Sequence, residues 1–189
     1  EEQRGGNQAW IAFTSGNFNS GTWYIDDVRI AYCGEPSSSS SSQSSSSSSL
    51  SSESSSSSSI CELGSNLIVN GDMELDSNWG NNWNSPTVNV RSNEQAYSGT
   101  YSRKFTASGL ASGIQSDTFT MAAGVFYKIN YWVWPVDTTN AKIYVADGNG
   151  DYHGQTTFTG LVSGAWNECE QWYEALSSGN QARISFNSG

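Results

Sequence analysis

The stretch YKINYWVW, residues 127–134, decides the fold class because its apolar side chains alternate along the chain. In an extended chain the odd-numbered residues, Tyr127 to Val133, lie on one face, and the even-numbered ones, Lys128 to Trp134, lie on the other. Pro135 then ends the run, since proline cannot continue a sheet ladder. The pattern predicts a strand with one buried face.

Similar short runs recur on both sides of this stretch, and each predicts a strand. They are NLIVNG (66–71), YSRKFTA (101–107), SDTFTMA (116–122), AKIYVAD (141–147), HGQTTFTG (153–160), WNECEQWYEAL (166–176) and ARISFNSG (182–189). No segment shows the 3.6-residue apolar period of a helix. About eight or nine antiparallel strands at this spacing predict an all-β protein, a β-sandwich of the jelly-roll type.

A serine tract divides the chain, with 20 serines in the 23 positions 37–59. So little apolar surface predicts a disordered linker. Before it, GNQAWIAFTSG (6–16) matches GNQARISFNSG (179–189) at eight of eleven positions. We therefore expect residues 1–36 to be the C-terminal end of a first module and residues 60–189 to be a second one.

The first copy of the repeat continues into NFNSGTWYIDDVRIAY (17–32), whereas the second copy is not followed by such a segment. We expect the second module to lack its last strand. A flexible tether could let residues 17–32 fill that gap, which would give a circularly permuted sandwich.

The three cysteines have a spacing that fits no zinc motif. Cys33 follows the closing segment and Cys61 precedes the second module, so they either pair and close the serine loop or both stay free. Cys169 falls in a predicted strand, where we expect a buried and unreactive thiol.

Charge and composition exclude two classes of partner. A net charge of −10 with only eight Lys and Arg argues against nucleic acid. No apolar run approaches the roughly 20 residues that span a bilayer. Abundant aromatic residues among Asn, Ser, Thr and Gly indicate a secreted, extracellular protein.

Five segments, each matching loosely, together resemble the carbohydrate-binding modules of families 4, 9 and 22, which occur in cellulases and xylanases. They are NLIVNGDME (66–74), AYSGTYS (96–102), YKINYWV (127–133), GAW (164–166) and, in the leading part, WYIDDVRI (23–30). The resemblance implies a jelly roll that binds a glycan on its concave face or at its loop tips.

The resemblance also implies a function. Such a module tethers a secreted polysaccharide-degrading enzyme, here a glycoside hydrolase, to a β-linked plant or algal polysaccharide such as xylan, β-glucan, cellulose or agar. The polyserine tract is similar to linkers in such enzymes from marine bacteria. The partners implied are the polysaccharide, further modules and a catalytic domain of the same polypeptide.

A structural Ca²⁺ is the cofactor that the resemblance implies. Its expected ligands are Asp26 and Glu74, with Gly71, Asp72 and Lys104 contributing a side chain or a carbonyl oxygen. Oxygen donors of this kind are what calcium prefers. The alternative is that these carboxylates are simply solvated at strand ends.

Aromatic residues are the candidate sugar contacts, because the apolar face of a pyranose stacks on an aromatic ring. The expected set is Trp79, Trp83, Trp134, Tyr144, Tyr152, Trp172 and Arg183. Of the two tryptophans in the predicted loop LDSNWGNNWNSP (75–86), we expect one to be core. Arg183 replaces Trp10 of the first repeat between unchanged apolar positions, which predicts that it faces outward.

A catalytic function is not expected. Glycoside hydrolysis needs two carboxylates facing each other across a cleft, and no acidic residue stands in a recognisable motif of this kind. The only histidine, His153, lies in a Gly-rich turn without a nucleophile motif nearby. The remaining alternative is a structural or adhesive β-sandwich repeat of a secreted or cell-surface protein.

Overall fold

A computed structural model describes residues 21–32, 64–107, 112–136, 141–157 and 160–188. The regular structure in these ranges is entirely β, so they include no helix that could cross a membrane. The strands are β1 (Thr22–Tyr32), β2 (Trp79–Trp83), β3 (Val88–Ser92), β4 (Ser102–Thr106), β5 (Ser112–Ser116), β6 (Phe119–Met121), β7 (Phe126–Pro135), β8 (Ala141–Ala146), β9 (Tyr152–Thr157), β10 (Asn167–Glu174) and β11 (Gly179–Ser188).

The strands form two antiparallel sheets. The first sheet has the order β10-β7-β1-β4-β3, and the second has the order β2-β5-β11-β8-β9, with β6 paired to β11. One hydrophobic core joins side chains of both sheets, among them Ile129 and Val133 of β7 and Ile184 and Phe186 of β11. The predicted all-β sandwich is confirmed, with eleven strands in the described ranges rather than eight or nine.

β1 lies in the middle of the first sheet, although it precedes the serine tract. It pairs with β4 on one edge and with β7 on the other. Its register against β7 shifts between Asp26 and Arg29, where Asp27 adopts a left-handed φ of 47°. Residues 22–32 therefore supply a central strand of the sandwich formed by residues 64–188.

The alternation in β7 is confirmed, because Tyr127, Ile129, Tyr131 and Val133 are all buried. The neighbouring aromatic pair in β10 is divided between the two faces of the sheet. Tyr173 is buried while Trp172 is 52% exposed.

Two local predictions are wrong. Residues 66–71 form no strand, since Asn66 uses its side chain to bind the end of β1: its Oδ1 accepts the N–H of Ile30 at 3.0 Å and its Nδ2 donates to the Val28 carbonyl at 3.0 Å. The predicted loop 75–86 contains strand β2, which pairs with β5.

Some predictions fall outside the described residues. They concern Cys33, Cys61, the serine tract, the first repeat copy and the module boundaries at 36 and 60.

Candidate functional site

The outer face of the second sheet brings together side chains from three neighbouring strands. Alternation turns Ile143, Val145 and Ile184 into the core and leaves Tyr144 and Arg183 on the opposite side. The register places Tyr144 next to Ser185, and Ser185 next to Gln115. In the adjacent row, Ala146 lies between Arg183 and Tyr152.

Two tyrosines form the aromatic part of this outer face. The rings of Tyr144 and Tyr152 lie 6.2 Å apart at an interplanar angle of 90°, and both are half-buried. Burial raises the pKa of Tyr144, so its hydroxyl stays protonated. This perpendicular pair brings two aromatic rings and two phenolic hydroxyl groups together on one face.

Arg183 and Gln115 form the polar part. Arg183 Nη1 lies 3.5 Å from Gln115 Oε1, and its Nε lies 3.5 Å from the Gln181 carbonyl. Contacts of this length are weak, so the guanidinium retains donor capacity for a ligand. Gly80 pairs with Gln115, and a Cβ added at Gly80 would meet no atom within 4 Å. The surface beside Gln115 is therefore open.

The opposite side of the sandwich, the outer face of the first sheet, carries an aromatic cluster of its own. Tyr97 stacks on Trp132 with ring centroids 3.7 Å apart, and Trp166 meets Tyr97 and Trp134 edge-on at 5.9 and 5.8 Å. These rings pack against one another, and their contacts hold the loops that carry Tyr97 and Trp166 against β7. Trp172 lies farther along β10, with the Lys128 ammonium 5.8 Å from its ring centre.

The expected sugar contacts therefore separate into different places. Tyr144, Tyr152 and Arg183 share the outer face of the second sheet. Trp134 and Trp172 lie on the outer face of the first sheet, on the other side of the core.

Trp79 does not belong to either outer face. It is 4% exposed, its Nε1 donates to the Asn70 carbonyl at 3.0 Å, and its ring packs 6.0 Å from that of Phe186. A sugar cannot stack on a ring enclosed in this way, so the prediction for Trp79 is wrong. The side chain of Trp83 lies outside the described part of the structure, as does that of His153.

Two of the expected calcium ligands hold the same loop. Asp26 is fully buried, and its Oδ2 accepts the N–H groups of Tyr97 and Ser98 at 2.8 and 3.1 Å. Glu74 Oε1 accepts the N–H groups of Thr100 and Tyr101 at 2.7 and 3.0 Å. Burial raises the pKa of Asp26 to about 6 despite these hydrogen bonds.

The other three expected ligands are placed differently. The Gly71 carbonyl accepts the N–H of Val28 at 2.8 Å, and Asp72 is exposed. Lys104 Nζ pairs with Glu94 at 2.6 Å, so its side chain is engaged elsewhere. In the described ranges, no three His, Cys, Asp or Glu side chains lie close enough together to hold a metal by themselves.

The comparison with protein families decides the class. The family model for a carbohydrate-binding domain, of the family 4/9 type, matches residues 65–189. The chain belongs to this family. The carbohydrate-binding domain thus contains β2 to β11 within the matched range, while β1 lies outside it. Separate searches of curated proteins and of solved structures each returned no match.

Membership confirms the resemblance over residues 65–189, which contain four of the five sequence segments, and it makes this a non-catalytic domain that binds carbohydrate. The fifth segment, residues 23–30, lies outside the matched range. Sequence reasoning did not find Gln115, which lies in SGIQS (112–116), a strand with a single large apolar residue. Its position became recognisable only through its pairing with Gly80 and Ser185.

Proposed function

We propose that the carbohydrate-binding domain holds its ligand on the outer face of the second sheet. The observation that carries this proposal is the perpendicular pair Tyr144–Tyr152 beside Arg183 and Gln115. A pyranose ring needs an aromatic surface for its apolar face and hydrogen-bond partners for its hydroxyl groups. This face offers both, whereas the rings of Tyr97, Trp132, Trp134 and Trp166 on the other sheet are largely engaged with one another.

We further propose that the ligand is a β-linked polysaccharide and that the domain tethers a secreted polysaccharide-degrading enzyme to it. Xylan, β-glucan, cellulose and agar are the candidates. The tethered enzyme is expected to be a glycoside hydrolase domain of the same polypeptide. The serine tract supports this proposal, because modules joined by flexible linkers gain avidity when several bind one polymer.

Affinity electrophoresis through gels containing soluble xylan, β-glucan, a soluble cellulose derivative or agarose tests the proposal. Stacking on Tyr144 buries about 60 Å² of apolar surface at roughly 25 cal/mol per Å², so Tyr144→Ala should weaken binding about tenfold. Tyr152→Ala and Arg183→Ala should also weaken it. Trp172→Ala removes an exposed ring from the opposite face and should leave retardation unchanged.

The outcomes of this experiment separate the alternatives. Loss of binding in Trp172→Ala or Trp134→Ala, with Tyr144→Ala unaffected, would transfer the ligand to the first sheet. Absence of binding to every soluble and insoluble glycan would favour a structural or adhesive repeat.

We also propose that Ca²⁺ binds at Asp26 and Glu74 as a structural ion. A carboxylate offers about four acceptor positions, and Asp26 uses three for the N–H groups of Asp27, Tyr97 and Ser98. A cation would offset the desolvation that raises the pKa of this buried group to about 6. With two carboxylates available, carbonyl oxygens and water would have to complete the shell.

Thermal unfolding with calcium or with a chelator tests this second proposal. An ion present at 100 times its Kd stabilises by about 2.7 kcal/mol, which raises Tm by several degrees. The rise should disappear in Asp26→Asn and persist in Glu168→Gln, which alters an exposed carboxylate on β10. Equal Tm values with calcium and with the chelator would contradict it.

A further inference from the structure

β1 occupies a slot between two strands that follow it in the chain by at least 70 residues. It pairs with residues 103–106 of β4 and with residues 127–135 of β7, so both of its edges are hydrogen-bonded. The facing edges of β4 and β7 would be unpaired without it. The slot therefore provides a complete set of backbone partners for one added strand.

The apolar side chains of β1 fill the slot. Trp23, Ile25, Val28 and Ile30 are each at most 1% exposed. Trp23 stacks on Phe105 with ring centroids 5.0 Å apart. Each of these side chains loses a large apolar surface to the core, which makes the strand a tightly held element.

The bulge in β1 makes the slot selective for sequence. Because the register shifts between Asp26 and Arg29, a strand with strict alternation cannot bury both Ile25 and Val28. The left-handed conformation of Asp27 and the N–H bonds from Tyr97 and Ser98 to Asp26 fix the same position. An incoming strand must match this pattern.

The end of β1 lies next to Gly64, where the description of the chain resumes after residue 63. Arg29 Nη2 donates to the Gly64 carbonyl at 3.1 Å, and a Cβ added at Gly64 would lie 3.2 Å from the Tyr32 ring. The intervening segment, 33–63, contains 31 residues. Flexible linkers of about 30 residues have a typical end-to-end distance of about 30 Å, which is enough to reach a neighbouring molecule.

We propose that the slot between β4 and β7 is a strand-binding site, and that β1 of a second copy of this chain is its alternative occupant. When two molecules exchange their β1 strands, every contact described above is kept. The strand-exchanged dimer therefore differs from the monomer mainly in that its population depends on protein concentration. Linkers of about 30 residues that are flexible give an effective concentration of the order of 1 mM. Monomers then dominate at micromolar protein, and strand-exchanged dimers appear as the concentration approaches the millimolar range. The proposal is independent of the carbohydrate-binding face, which lies on the other sheet.

The test uses the full chain with a protease site placed inside residues 37–59. Unlabelled and isotopically heavy proteins are folded, cut and mixed in equal amounts, and native mass spectrometry follows the pairing of the two fragments. The cut protein should retain β1, and hybrid pairs should approach half of the population. The uncut chain, concentrated to about 1 mM, should give a dimer fraction that disappears on dilution.

A labelled peptide of residues 21–32 tests the specificity on the same cut protein. The Val28→Asp peptide should compete at least 100-fold less well, because it places a charge in the core. The Asp27→Gly peptide should compete at least as well as the natural one, since glycine favours a positive φ. Release of β1 without rebinding, absence of hybrids at temperatures where the domain unfolds measurably, or equal competition by Val28→Asp would each overturn the proposal.

Discussion

Two substitutions that break the ion pair of Arg103 and Asp76 should lower the free energy of unfolding by very different amounts. The Arg103 side chain is 7% exposed, whereas that of its partner Asp76 is 68% exposed, and Arg103 Nη1 lies 2.9 Å from Asp76 Oδ1. Arg103 also donates from Nε to Asn89 Oδ1 at 2.6 Å and from Nη2 to the Trp79 carbonyl at 3.1 Å. It therefore joins strands β2 and β3 at one end of the core.

The expected costs follow from these contacts. Arg103→Met keeps most of the apolar stem but removes the charged donor of Asn89 Oδ1 and of the Trp79 carbonyl, which keeps only a longer hydrogen bond from Asn89 Nδ2 at 3.3 Å. Each lost hydrogen bond to a charged group costs about 1.5–3 kcal/mol. The total, about 3–5 kcal/mol, is a large part of the stability of a typical domain. Asp76→Asn removes one exposed charge, for which about 0.5 kcal/mol is expected.

Urea unfolding at pH 7, followed by tryptophan fluorescence, measures both costs. The m-values of the variants should equal that of the natural protein, and the free energies of unfolding can then be compared directly. Arg103→Lys should fall between the two, because it keeps a charge and loses the planar fork. Equal costs for Asp76→Asn and Arg103→Met, or a cost below about 1 kcal/mol for Arg103→Met, would refute the reasoning.

Three further predictions concern single positions. Gly71→Ala should destabilise the domain by more than about 2 kcal/mol in thermal unfolding, because the added Cβ would lie 2.1 Å from the Val28 carbonyl oxygen. Gly80→Ala is the control and should be nearly neutral, because a Cβ at Gly80 would meet no atom within 4 Å. Trp79→Ala should cost about 3–5 kcal/mol in urea and Trp79→Phe less; unchanged stability in both would place the ring outside the core. Burial raises the pKa of Cys169 from 9.0 to about 11, so its alkylation rate should keep rising above pH 9. The stability that this thiol contributes should be complete below pH 9, fall as the pH rises from 9 through 11, and be lost above that. A rate that levels off near pH 8.5 would contradict that placement.

Strands with regular alternation could be predicted from the sequence, and those without it could not. β7 shows a clear apolar period, and the burial of Tyr127 and Ile129 follows from it. β2 has the sequence WGNNW and becomes a strand because β5 pairs with it. Residues 66–71 look like a strand, but the Asn66 side chain supplies hydrogen bonds that a ladder would otherwise make.

The candidate site could be predicted only in part, because its residues meet through non-local pairing. The outward orientation of Arg183 follows from the repeat. Its proximity to Tyr152 depends on β8 lying between β11 and β9, which no local pattern encodes. For the same reason, sequence grouped Trp134 and Trp172 with Tyr144, although they lie on opposite sides of the core.

The central position of β1 has a practical consequence for recombinant work on this domain. A fragment cut at the family boundary, residue 65, would lose Trp23, Ile25, Val28 and Ile30 and expose two long sheet edges. Unpaired edges of this kind promote intermolecular β-pairing. We expect such a fragment to accumulate as insoluble aggregate, whereas a fragment that starts at or before residue 21 should remain soluble.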